Sequence, residues 1–377
     1  MVVPSPLAWQ PIPARPRRPW RWALGVVALL VAAFLILNTI TVPYYGILPG
    51  PTYPVDGPQG AVVVNSAHAG SGNLSFVVVE EQARVSEWDR LTYGFTRPEV
   101  DLLPIAEVTG GASASQYNQE NAQLMVDSQA AAKVAALRRL GYHVPELGDG
   151  AAVEQVDPHT PADGVVHQGD VITAADGKTI KVASDLTSVV TTLQPGTVVH
   201  LTVQRPGTPR PSSVHLNVST IACGATICPD QPNRALMGVA VATDHQSYAF
   251  PNGVNVNVVT SGIGGPSAGL SFALGVLDAL TTRNLTGGHR VVATGTIDPD
   301  GNVGDVGGVR QKAIAVRDHH DQYFIVPRVE YQAARAAAGS TVHVVPVDTL
   351  EQALTFLRSI GGDLKGIPAT PPPAVPE

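Results

Sequence analysis

Gly264-Gly265-Pro266-Ser267-Ala268-Gly269 opens an apolar run, and thirty residues on Thr294-Gly295-Thr296-Ile297 leads into Gly307-Gly308-Val309-Arg310-Gln311-Lys312. These two stretches decide the reading of the last third of the chain. Pro266 suits the first position of a helix, so a helix is expected over Pro266–Thr281, with Ser267 in its first turn. Backbone amides there have no partner within the helix and sit at the positive end of its dipole, a setting that can hold an oxyanion. The glycines at 262, 264 and 265 would let a substrate backbone come close. A serine hydroxyl is a weak nucleophile and needs a base in reach. A lysine can be that base if burial lowers its pKa. Taken singly, Ser267 reads as a helix-start serine and Lys312 as a solvated helix lysine.

Around these stretches the pattern alternates. Strands are expected at Met237–Ala242, Gly253–Val259, Val291–Ile297, Gln322–Val326 and Thr341–Pro346. Helices are expected at Pro266–Thr281, Val309–Arg317, Glu330–Ala338 and Thr349–Ile360. The fold class is α/β (α+β). The stretch from Gly253 to Lys312 resembles the proteolytic domain of the Lon (endopeptidase La) family. There a Gly-Pro-Ser-Ala-Gly segment carries the nucleophile, and a glycine-spaced segment running from Thr-Gly to a lysine carries the base. The resemblance implies Ser267 as nucleophile, Lys312 as general base and Thr294 as the residue that holds the lysine amine. Three positions depart from the family pattern: Asn255-Val256-Asn257 replaces a His-x-His strand, Gly264 replaces an acidic residue, and Thr296 replaces a glutamate. The resemblance also implies assembly into hexameric rings.

Upstream, residues 142–218 read as a second unit. It carries Pro161-Ala162, Gly169-Asp170 before an isoleucine strand, Asp176-Gly177, a helix from Ser184 to Leu193, and Pro195-Gly196 before a strand reaching Gln204. This order resembles a PDZ domain, a β-rich module that binds peptide ends by adding a strand to a sheet edge. The carboxylate-binding loop is expected near Gly150-Ala151-Ala152-Val153, which lacks the family's Gly-Leu-Gly-Phe. A generic small β domain is the alternative.

The N-terminus frames both units. From Trp22 to Leu37 no residue is charged, and about 20 helical residues span the roughly 30 Å of a bilayer core. Arg15, Arg17, Arg18 and Arg21 precede the run, and no basic residue follows until Arg84. The positive-inside rule then places residues 1–21 in the cytoplasm, a transmembrane helix over 22–42, and the rest outside. A cleaved signal peptide is the rival reading. Cys223 and Cys228, the only cysteines, fit a local disulfide in an oxidising compartment. Residues 43–141 form an N-terminal extracytoplasmic region, with strands at Ala61–Val64 and Leu74–Val79, a helix over Gln119–Leu140, and no clear pattern across 80–115. Residues 219–234 are a linker, 235–362 the proteolytic domain, and 363–377 a disordered tail.

Composition narrows the function. The formal charge is −7, and four of the 24 basic residues lie before residue 22. So acidic a body argues against nucleic acid as a partner. Only five of those 24 are lysines, which gives Lys312 in its glycine-rich setting more weight. No Gly-x-x-x-x-Gly-Lys-[Ser/Thr] loop occurs, so no ATPase motor is expected. No cofactor or metal is expected either. There is no His-Glu-x-x-His, and the adjacent His319 and His320 cannot both face one ion on a helix. A serine–histidine triad would have to recruit His245 or His289, whose surroundings do not suggest it. The sequence therefore points to a membrane-anchored, ATP-independent serine endopeptidase acting on unfolded or peptide-like proteins. A catalytically silent PDZ scaffold at the membrane is the alternative.

Overall fold

The computed structural model describes residues 19–64, 67–68, 73–207, 212–224, 228, 231, 233–260, 262–281 and 284–370. The cytoplasmic segment expected over 1–21 therefore falls almost wholly outside the described residues, as does the end of the tail, 371–377.

In chain order the main elements are α1 (Pro19–Thr39), β1 (Tyr44–Pro54), β2 (Val62–Val64), β3 (Leu74–Gln82), α2 (Glu87–Thr96), β4 (Asp101–Pro104) and α3 (Ala114–Arg139). Then come β5 (Ala151–Val156), β6 (Val171–Ala175), α4 (Ala183–Thr191), β7 (Val198–Arg205), β8 (Ser212–Ser219) and β9 (Val239–Thr243). The chain ends with β10 (Val256–Val258), α5 (Gly269–Leu280), β11 (Val291–Ala293), α6 (Val309–Asp318), β12 (Tyr323–Pro327), α7 (Tyr331–Ala338), β13 (His343–Val347) and α8 (Leu350–Ser359).

α1 is the one helix among the described residues long and apolar enough to cross a membrane. No residue of its window Trp22–Thr39 is buried inside the protein.

The α/β body is one six-stranded sheet in the order β13-β12-β11-β3-β1-β4. β11 pairs in parallel with β12 and with β3, while β1 pairs antiparallel with β3 and β4. Residues 43–141 are thus not a separate region: three of the six strands come from them. β2 also pairs with β10, Val62 opposite Val258. The reason is burial. β11 is Val-Val-Ala with every residue buried, the mark of a strand covered on both faces, and it needs a neighbour on each side. β3 supplies Leu74 and Phe76, both fully buried. α5 is apolar nearly all round and buried along almost its whole length, as a helix enclosed on every side must be. Phe272 meets Phe76 edge to face at 5.3 Å, so the two distant segments share one core. The tail joins it as well: Ile367 is buried against this core, which moves the start of the expected disordered tail beyond residue 367.

Between α3 and β10 the chain forms a second antiparallel sheet, β8-β7-β6-β5-β9, with its own core. A two-residue ladder, Glu146–Leu147 against Ser247–Tyr248, closes its root. Val239–Thr243, expected as the start of the proteolytic domain, lies instead on the edge of this sheet beside β5. The Gly169-Asp170 pair of the sequence pattern has a structural partner in Arg205, the last residue of β7. Asp170 is fully buried and receives Arg205 Nε at 2.8 Å and Nη2 at 2.7 Å. Burial alone would raise its carboxyl, but the guanidinium and the His167 amide hold it below the ordinary aspartate value.

Candidate active site and peptide groove

α5 begins at Gly269, with Ala268 as its N-cap, three residues later than Pro266 suggested. The Pro266 carbonyl accepts the Gly269 amide at 3.2 Å and Ser128 Oγ at 2.9 Å. It is used in a turn rather than in a helical ladder. Ser267 therefore sits in the turn just before the helix, half-buried. The first amides of α5 are committed too: Gly269 to Pro266, and Leu270 to the Gly295 carbonyl at 3.0 Å. The amides of Gly269 and Leu270, expected to be free, are therefore not available to a substrate oxyanion.

α3 holds this turn from the side. Gly265, at φ +85°, donates its amide to the Asn121 carbonyl at 2.9 Å. A Cβ on Gly264 would lie 3.1 Å from Asn121 Cβ. These two glycines serve the approach of α3 as well as any substrate. Asn121 and Ser128 gave no signal in the sequence, because their partners are more than 130 residues away.

Lys312 lies in the second turn of α6. Gly308 caps that helix at φ +65°, a left-handed conformation that favours glycine, and a Cβ there would meet Val79 Cγ1 at 2.6 Å. The Lys312 amide donates to the Gly308 carbonyl at 3.0 Å. The side chain is only 2% exposed. Burial pushes its ammonium from the ordinary lysine value down to about 8, while the Glu330 carboxylate works in the opposite direction. Among the described residues, the ammonium donates to Thr294 Oγ1 at 3.4 Å and makes no hydrogen bond to Ser267. Thr294, fully buried, donates its hydroxyl to the Ser267 carbonyl at 3.1 Å. That same carbonyl accepts the Gly295 amide at 2.9 Å. Thr294 thus stands between the lysine side chain and the serine backbone.

Glu330 was not singled out by the sequence. Its Oε1 accepts the Val306 amide at 3.0 Å, just ahead of Gly307-Gly308, and its Oε2 is buried without a hydrogen-bond partner. Burial is the main reason its carboxyl titrates above the ordinary glutamate range.

In the antiparallel sheet the expected carboxylate loop, Gly150-Ala151-Ala152-Val153, runs directly into β5. β5, which follows Gly150, is an interior strand between β6 and β9 and has no free edge to offer. The edge beside α4 is β9. A groove of about 230 Å³ runs between them, lined among others by Leu186, Val190, Arg234, Met237, Gly238 and Val241. Cys223, also in its lining, is disulfide-bonded to Cys228. At its far end β9 opens on a larger cavity of about 820 Å³ between the two units. Thr243, Arg138, Asp300 and Glu351 line that cavity; Ser267 does not.

With this geometry in place, comparison with known proteins identifies the two units. Residues 138–216 match the PDZ domain family, and residues 251–356 match the Lon protease (S16) C-terminal proteolytic domain. No curated protein matches the chain. Solved structures that resemble part of it include the PDZ domain of an SdrC-like protein from Listeria monocytogenes, at 22% identity over 25% of this chain and 87% of that one, TM-score 0.21. The corresponding domain from Listeria innocua shows 22% identity over 26% and 98%, TM-score 0.22. A Geobacillus thermodenitrificans protein shows 25% identity over 24% and 97%, TM-score 0.20. The chain is a mixed helix–strand protein that carries a PDZ domain and, after it, a proteolytic domain of the Lon type, a peptidase domain.

Proposed function

We propose that the protein is a serine endopeptidase in which Ser267 is the nucleophile and Lys312 its base, working without ATP. The observation that carries the reading is the burial of Lys312 beside Thr294, with its pKa lowered to about 8. A neutral amine can donate one N–H to Thr294 Oγ1 and keep its lone pair for the Ser267 hydroxyl. In the first step Nζ takes the Oγ proton as Oγ bonds to the substrate carbonyl carbon. The amides of Ser267 and Ala268 are the donors for the oxyanion. The C–N bond then breaks, the lysine returns its proton to the leaving amine, and water, activated by the same amine, releases the acyl group. The ammonium's present bond to Thr294 means that the side chain swings toward Oγ when substrate arrives, since catalytic contacts tighten on binding.

The PDZ groove would take the peptide end as an added strand on β9, with Arg234–Gly238 as the carboxylate loop. The run of the groove from that loop to Thr243 would point the rest of the peptide into the cavity between the units. The protein would be anchored by α1 with residues 1–21 in the cytoplasm and both domains outside, and would meet unfolded or peptide-like proteins there. A hexameric ring is its expected assembly. The test is a hydroxyl-reactive fluorophosphonate applied to the full-length protein, followed by peptide mapping. Modification at Ser267 that disappears in Lys312→Ala supports the mechanism. A folded wild type left unmodified at Ser267 overturns it and favours the silent PDZ scaffold.

A further inference from the structure

α2 presents two opposite faces. Tyr93 is buried, packing with Leu48 and Val100. On the opposite side Trp88 is 37% exposed, Leu91 48% and Phe95 92%. Spaced three and four apart, they form one apolar stripe, whose Leu91 and Phe95 stay open to solvent. The sequence pattern was illegible here because the helix is apolar outward rather than toward the core.

The position of α2 says what the stripe faces. The Glu87 amide at its start donates to the Ile40 carbonyl at 2.8 Å, so α2 begins level with the end of α1. Thr41–Val42 pairs with Val85–Ser86 between them. Trp88 then meets Phe34 of α1 edge to face, ring centroids 4.9 Å apart. Phe34 lies five residues before Thr39, about 8 Å along a helix, below the outer limit of the apolar span. An indole held against that ring lies where hydrocarbon gives way to headgroups, the depth tryptophan favours.

We propose that α2 is an interfacial membrane helix, lying in the bilayer surface at the Thr39 end of α1 with Trp88, Leu91 and Phe95 inserted. The proposal rests on α1 as a membrane span. Its partner is the lipid surface itself. Glu87 and Arg90 pair with each other, so α2 offers no net positive face, and its attachment is apolar rather than an attraction to anionic headgroups. The consequence reaches the site. The segment leaving α2 fastens the lysine helix: Arg310 donates to Asp101 at 2.7 Å and to the Pro98 carbonyl at 2.6 Å, and Gln311 to the Glu99 carbonyl at 3.3 Å. A body held at α1 and α2 together has one orientation on the membrane, not a swivel.

The test uses the full-length chain in phosphatidylcholine nanodiscs, one copy each, without reductant so that the native cysteines stay paired. Single cysteines at Phe95→Cys, Leu29→Cys and Val198→Cys carry an environment-sensitive fluorophore. Nitroxide lipids labelled near the top or near the end of the acyl chain serve as quenchers. The Phe95 probe should be blue-shifted and lose more than half its intensity to the shallow quencher, the Leu29 probe to the deep one, and the Val198 probe to neither. Anionic lipid should not change the Phe95 result. A quenched Leu29 with a water-exposed, unquenched Phe95 overturns the proposal. So does a Phe95 probe that is shielded only in liposomes holding several copies, since a second chain then covers the stripe. An unquenched Leu29 removes the membrane span and the proposal with it, leaving the peptidase reading untouched.

Discussion

Lys312 Nζ reaches Thr294 Oγ1 at 3.4 Å in a fully buried setting, and the threonine hydroxyl donates in turn to the carbonyl of Ser267 at 3.1 Å. Thr294→Val keeps the shape and removes both bonds. The Ser267 carbonyl keeps the Gly295 amide, but the buried lysine loses its partner, so the stability loss should be about 1–3 kcal/mol. The lysine loses its guide, and turnover should fall on the order of a hundredfold, with Thr294→Ser restoring most of it. Steady-state cleavage of an unfolded protein, with circular dichroism as the folding control, checks this. Unchanged turnover in Thr294→Val would mean that the threonine does not position the base.

Activity should rise with pH along an acid limb centred near 8, because only the neutral amine accepts the Ser267 proton. The Glu330 carboxylate favours the ammonium, so removing its charge must lower the lysine pKa. Glu330→Gln should therefore move the acid limb to lower pH and leave the plateau rate within a few fold. The pH–rate profile of kcat/KM reads this directly. A shift in the alkaline direction contradicts the arrangement.

The lysine is expensive in stability. Its pKa in the folded state, about 8, lies below the ordinary 10.5. The unfolded chain therefore binds the proton more tightly, and the penalty is complete below pH 8. It is relieved as pH rises from about 8 to 10.5, so stability should increase across that window. At 1.36 kcal/mol per pKa unit the penalty is on the order of 3 kcal/mol. Lys312→Met, of similar length, should abolish cleavage and raise stability at pH 7 by up to that amount in urea unfolding. A less stable Lys312→Met would mean that the ammonium is held by contacts stronger than its desolvation.

The PDZ sheet grows out of the body through the ladder Glu146–Leu147 and Ser247–Tyr248. Paired residues in such a ladder lie about 5 Å apart, and a two-residue Asn-Gly turn can join them. Replacing residues 148–246 by Asn-Gly should leave a folded body that still cleaves short peptides but has lost binding of peptide ends. By contrast, residues 235–377 expressed alone should not fold, because β11 would lack β3. Gel filtration and near-ultraviolet circular dichroism separate the two. A folded, active 235–377 fragment would contradict the shared sheet.

How far the sequence could be read depended on distance along the chain. The Gly264–Gly269 segment, the segment from Thr294 to Lys312 and the Gly169-Asp170 pair are legible because backbone geometry fixes glycines and charged residues at set positions. Strand order was not legible. β3 and β11 are more than 200 residues apart, and nothing local tells a Val-rich strand which neighbour it will take. For the same reason the free sheet edge was expected after Gly150, whereas the strand there is interior and the edge is β9, from the far end of the domain. α5 starts later than Pro266 suggests because proline suits a helix start and a turn alike, and the turn is held by distant groups: Ser128 and Asn121 of α3, and Gly295.

The central claim is that Ser267, with Lys312, cleaves peptide bonds. The most direct measurement is hydrolysis of casein by the full-length protein in nanodiscs, in buffer free of ATP. The wild type should cut casein with no nucleotide added, and Ser267→Ala and Lys312→Ala, folded and equally anchored, should reduce the rate to background. Cleavage that persists in Ser267→Ala would contradict the account.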